Sequence, residues 1–116
     1  MRTHFVLPLL ITGLFTTAAL AHHGWSGYDA NQTLTLSGVI EASGYEHPHG
    51  FIKLKTKDKL WHAVLAPPSR MEDRGLAQGM LKPGTQATVV GYPHRSETGE
   101  LRAERITIAG KTVELR

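Results

Sequence analysis

From Phe5 to Leu20 the chain is an almost unbroken apolar run, F-V-L-P-L-L-I-T-G-L-F-T-T-A-A-L, preceded by Arg2 and closed by Ala19-Leu20-Ala21. A positive start, an apolar stretch and small residues at the two positions a signal peptidase reads make up a secretory signal. Pro8 and Gly13 interrupt the run, which is short of the roughly 20 apolar residues a membrane span needs. Residues 1–21 are therefore expected to be a signal peptide, cleaved after Ala21. Residues 22–116 would then be a periplasmic or secreted protein with no stable membrane insertion. Taking 21 from 116 leaves 95 residues, enough for one small domain. None of them is a cysteine, so the domain must stand without disulfides, on its core alone or with help from a metal or partner. Thiolate metal sites and thiol catalysis are excluded.

Charge adds little. One of the 13 Lys and Arg residues leaves with the signal, so 12 face 10 acids and the net charge is +2 with histidine neutral. The basic residues are not blocked together, and composition makes no case for nucleic acid.

Residues 22–32, H-H-G-W-S-G-Y-D-A-N-Q, read as a polar N-terminal arm with aromatics. From Thr33 the period becomes two, with Leu34, Leu36, Gly38 and Ile40 on one face, which predicts a strand. Gly38 in its middle predicts a bulge or a sharp coil. Phe51–Thr56 and Leu60–Ala66 predict a second and a third strand around the polar turn Lys57-Asp58-Lys59. Pro67 and Pro68 stop the third. Ser69 and Glu72 then have capping-box spacing, so a short helix is expected over residues 70–74, ended by Gly75. Lys82-Pro83-Gly84 launches a fourth strand over residues 86–92. Residues 101–108 form a fifth, paired with 111–115 across Ala109-Gly110. An all-β chain with one short helix between strands three and four fits a small five-stranded Greek-key barrel of the OB type. Leu34, Leu36, Ile40, Ile52, Leu54, Val64, Val89, Ile106 and Ile108 are the expected core. Trp25, Tyr28, Tyr45, Phe51 and Trp61 would line a groove or plug the barrel end, and Tyr92 would cap it.

Histidine is the main chemical clue. Of seven in the chain, six lie beyond the signal: His22, His23, His47, His49, His62 and His94. Cleavage after Ala21 would make His22 the new terminus, offering its amine and its imidazole to one ion, with His23 beside it. A third imidazole would complete a nitrogen-rich, roughly planar set, which suits Cu(II). His47 and His49 flank Pro48 in the first loop, and residues i and i+2 of an extended segment point to the same side. His94 opens the loop between strands four and five, which in an OB barrel flanks the same face as the first loop. His22, His23, His47, His49 and His94 are thus the candidate metal ligands. Copper is the expected ion and zinc the second choice. His62 reads as a solvent-facing or niche residue. Catalysis has little support: no serine sits in a nucleophile elbow, no carboxylate pair is set by spacing, and no glycine-rich phosphate loop is present. No enzyme is expected.

Five segments together, H-H-G-W-S-G-Y-D, E-H-P-H-G, L-A-P-P-S-R-M-E-D-R-G-L, L-K-P-G and G-Y-P-H-R, resemble a bacterial family of small exported proteins, domain of unknown function 6152. The resemblance spans nearly all of residues 22–116. That family's first loop usually reads N-P-H, so His49 matches its motif and His47 is extra. The resemblance implies export and a small β-rich domain, and no activity. The expected role is metal handling or delivery, with the ion, and another envelope protein as a further partner. The competing reading is a metal-free extracytoplasmic module that binds a small ligand, peptide or envelope partner on the same face.

Overall fold

The computed structural model describes residues 2–4 and 24–116. The apolar run 5–20, the expected cleavage site at Ala21 and the His22–His23 pair lie outside the described residues.

Alternation of apolar and polar residues builds six strands: β1 Leu34–Gly44, β2 Phe51–Lys55, β3 Leu60–Val64, β4 Gln86–Pro93, β5 Glu100–Ile108 and β6 Lys111–Glu114. The antiparallel order is β3-β2-β1-β4-β5-β6. A parallel pairing of His62, Ala63 and Val64 with Glu100, Leu101 and Arg102 joins β3 to β5. That contact closes the first five strands into a barrel, with β6 as a hairpin extension of β5. The helix α1, Pro68–Asp73, sits between β3 and β4. The five-stranded barrel with one short helix is the architecture the sequence predicts.

Closing so small a barrel requires sharp strand coiling, and two glycines permit it. A Cβ on Gly38 would collide with the carbonyl oxygen of Lys55, and one on Gly91 with that of Arg102. β1 carries a bulge between Ile40 and Ala42. β4 and β5 shift register at Val90/Gly91. The inward set of β5 accordingly slips, from Leu101 and Ala103 to Ile106 and Ile108. Bulges at these places bend the sheet on itself.

Of the predicted core, Ile40, Ile52, Leu54, Val89, Ile106 and Ile108 are buried. Leu34 and Leu36 are only half-buried, toward the start of β1, and Val64 is half-buried because its partners Phe51 and Arg102 put it on the outer face, Ala63 being the inward residue. Met71, Leu76 and Leu81 complete the interior from the α1 segment.

The helix differs from expectation at its start. It begins at Pro68, with Pro67 as cap residue and no side-chain cap hydrogen bond, so Ser69 is not the cap. Proline at the first helical position has its φ already set and lacks an amide that would go unsatisfied there. Pro67-Pro68 therefore ends the strand and also starts the helix, two residues before the predicted point. Gly75, at φ +84°, follows the helix as predicted.

Candidate functional site

The described part of the arm does not hang free. Trp25–Gly27 form one 3₁₀ turn, and the chain then lies along the end of β4. Tyr28 bridges to His94. The amide of Asp29 donates to the Pro93 carbonyl at 2.9 Å, and that of Arg95 to the Gly27 carbonyl at 2.9 Å. The Arg95 guanidinium reaches the Ser26 carbonyl at 3.2 Å and the Asp29 carboxylate at 4.0 Å. Asp29 also accepts from the Gln32 side chain and the Asn31 amide. Those hydrogen bonds, the Gln32 one first, hold its carboxyl below the usual range.

This docking covers one end of β5. Leu101 and Ala103 point into the core, so Glu100 and Arg102 point the other way, two residues apart on one side of the strand. Tyr28 is 8% exposed, and its hydroxyl donates to Glu100 at 2.8 Å. Burial first, then the Glu100 hydrogen bond and charge, raise that hydroxyl well above the ordinary tyrosine range. Arg102 is only 5% exposed, because Trp25 lies over it, with 4.6 Å between guanidinium carbon and ring centroid. Arg116 is equally close to the same ring. Burial chiefly, with Arg70 and Arg116 nearby, lowers the Arg102 pKa from its usual value. Tyr92 packs edge-on against Trp25 and donates to Glu104.

Two predicted ligands meet this end of β5 in different ways. His49 is half-buried, with Nε2 3.2 Å from Nη2 of Arg102. A guanidinium can only donate, so His49 Nε2 accepts and its ring is neutral in that pairing. His94 accepts at Nδ1 from the amides of Glu97 at 2.9 Å and Ser96 at 3.1 Å. Its Nε2 faces Glu100 at 3.9 Å, and the ring meets Tyr28 edge-on at 5.0 Å. With Nδ1 accepting, the proton sits on Nε2, so Nδ1 of His94 is held by the fold. His47 is exposed on the same loop as His49. His62 stacks on Phe51 at 4.9 Å, outside this cluster. Among the described residues no group of three or more His, Asp or Glu side chains is arranged to hold a metal ion. His22 and His23 lie outside those residues.

Of the predicted aromatics, Trp25 and Tyr28 join the site, while Tyr45 and Trp61 pack against the core. The Tyr45 hydroxyl donates to the Leu76 carbonyl at 2.5 Å. Arg102 and Glu100 were not legible as site residues. In E-L-R-A-E-R-I they read as the solvent side of an ordinary strand, and only the returning arm buries them.

Residues 11–102 match the profile of a family of unknown function (DUF6152). No curated protein matches the chain. Among solved structures, a ZRD-deleted mutant of TiaS in complex with agmatine is similar in fold, with TM-score 0.53 and 20% identity over 75% of this chain and 27% of that one. A complex of TiaS with tRNA and ATP gives TM-score 0.51 and 21% identity over 77% of this chain and 20% of that one. The chain thus spans little more than a quarter of these neighbours at most, and the likeness is one of fold.

Proposed function

The chain belongs to the DUF6152 family, and we propose that it is an exported barrel that binds a transition metal, copper before zinc, through His22, His23 and His49. Its role is handling or delivery. One observation carries the reading. The arm is tied down at Trp25, whose ring lies on Arg102 at 4.6 Å, and Arg102 in turn touches His49 at 3.2 Å. His23 is two residues before Trp25, a backbone reach of at most about 7 Å. On this reading a terminus starting at His22 folds back over Arg102 to share an ion with His49, the imidazole that matches the family motif. Its amine and ring, with His23 and His49, make a nitrogen-only donor set of the kind Cu(II) favours. His94 supports the site indirectly, by fastening the arm through Tyr28 and Glu100.

Arg102 acts against a bound cation at this place. A metal at His49 Nε2 must displace its guanidinium, and the positive charge disfavours a dication. The same residue favours the second reading, a metal-free module for an anionic small ligand. Native and denaturing intact mass of the exported protein tests the choice, followed by titration with Cu(II) and Zn(II). The metal reading expects a chain starting at His22, one ion per chain, and Cu(II) binding weakened more than Zn(II) binding by one extra N-terminal residue. A different terminus, or copper binding indifferent to the extension, would leave the metal-free module as the better account.

A further inference from the structure

Four of the six lysines of the chain fall at alternate positions, Lys53, Lys55, Lys57 and Lys59, and the fold gathers them on the β2–β3 hairpin. Lysines on a strand often guard an open sheet edge. That explanation fails for Lys53 and Lys55, because β2 is paired on both sides, with β1 and with β3. A second observation concerns apolar side chains. Among the described residues, the exposed large hydrophobic ones are Val39, 39% exposed, and Leu60, 44% exposed. Val39 pairs with Lys55, and Lys55 pairs with Leu60. Directly paired residues share a face of the sheet, so Val39, Lys55 and Leu60 form one cross-strand row. Lys53 lies two residues along the same face and Lys57 stands in the adjoining turn, while Lys59, paired with Thr56, is on the opposite, Trp61 side of the hairpin. Lys59 rests over the Trp61 ring at 4.2 Å. Two acids temper the charge: Glu41, 3.8 Å from Lys55, and the exposed Asp58 at the turn.

We propose that this face docks reversibly on an anionic lipid bilayer, Leu60 and Val39 entering the headgroup region and Lys53, Lys55 and Lys57 meeting lipid phosphates. Apolar tips ringed by lysines match such a surface in both parts. The long stems let the ammonium groups stay at the phosphates while the apolar row goes deeper. The attraction falls off within a Debye length, so docking must be salt-sensitive. A free anion or a glycan would use the lysines but gain nothing from Leu60. The face lies outside the cluster around Arg102, so it stands whether or not a metal binds there.

Vesicle co-sedimentation of the purified chain tests it, using phosphatidylcholine vesicles with and without about 25% phosphatidylglycerol. Binding to the anionic vesicles alone is expected, with loss at about 0.5 M salt. Joint Lys53→Gln, Lys55→Gln and Lys57→Gln should weaken it by about tenfold or more, and Leu60→Ser should weaken it while the circular dichroism stays unchanged. Asp58→Asn should strengthen it. Equal binding to both vesicle types, or binding indifferent to the lysine changes, would overturn the proposal and assign binding to the apolar segment 5–20. Retention on heparin without vesicle binding would overturn it in favour of an acidic glycan. Competition by inorganic phosphate at constant ionic strength would do so in favour of a free anion.

Discussion

The loops 45–50 and 94–99 lie beside opposite ends of β1, one after Gly44 and the other past Gly91, the partner of Leu34, and each carries histidine, yet they use it differently. In the second loop His94 is fixed by its own neighbours. Two loop amides occupy Nδ1, and Nε2 faces Glu100. In the first loop the backbone is the fixed part: the Gly50 amide donates to Ala66 at 2.9 Å and the Leu65 amide to Gly50 at 2.8 Å. The His49 ring reaches out of its loop to a side chain distant in sequence, Arg102. A ring whose Nδ1 accepts from two amides of its own loop can fasten a structure. A ring nitrogen that meets a distant side chain instead of its own loop binds a ligand, on the proposed reading, by exchanging that partner.

Stability separates the two loops. His94→Ala removes the acceptor for two amides and the ring under Tyr28, and should cost about 2–3 kcal/mol in denaturant unfolding, with Trp25 fluorescence reporting a loosened arm. A loss under about 0.5 kcal/mol would mean that the loop amides find water without penalty. In the first loop, Tyr45→Phe strands the Leu76 carbonyl and should cost about 1–2 kcal/mol, with the arm signal unchanged.

Acid should loosen the arm at Asp29. The folded-state pKa of Asp29 is depressed below 3.8 by its Gln32 and Asn31 hydrogen bonds. Its contribution is present above the unfolded value and fades as pH falls through the folded one. Amide exchange of residues 28–32 should accordingly rise below about pH 4, and Asp29→Asn should flatten that rise. The smallest effect is expected at Ser69→Ala, within about 0.5 kcal/mol, because Ser69 makes no cap bond. A loss near 1 kcal/mol would restore it as the cap.

The barrel was legible because its evidence is local. Alternation in β1 and β2, proline after β3, and turn residues before β4 are each contained within a few positions. The loops on which the histidines fall followed from that topology. What each ring does was not legible, since it depends on contacts far apart in sequence, His49 with Arg102 and Tyr28 with Glu100. The helix start was missed for a different reason: Pro67-Pro68 is compatible both with stopping a strand and with beginning a helix, and only the backbone at Pro67, φ −56° and ψ 141°, distinguishes the two.

On the proposed reading the first loop binds and the second fastens. Competitive Cu(II) titration of the chain beginning at His22 tests it most directly, with His49→Ala and His94→Ala compared under conditions where both are folded. The account predicts that His49→Ala weakens copper by about a hundredfold, or about 2.7 kcal/mol, as expected for loss of a ligand. It predicts that His94→Ala weakens copper by less than about tenfold, through a looser arm. Equal affinity in both variants and the parent, or a larger loss in His94→Ala, would contradict it.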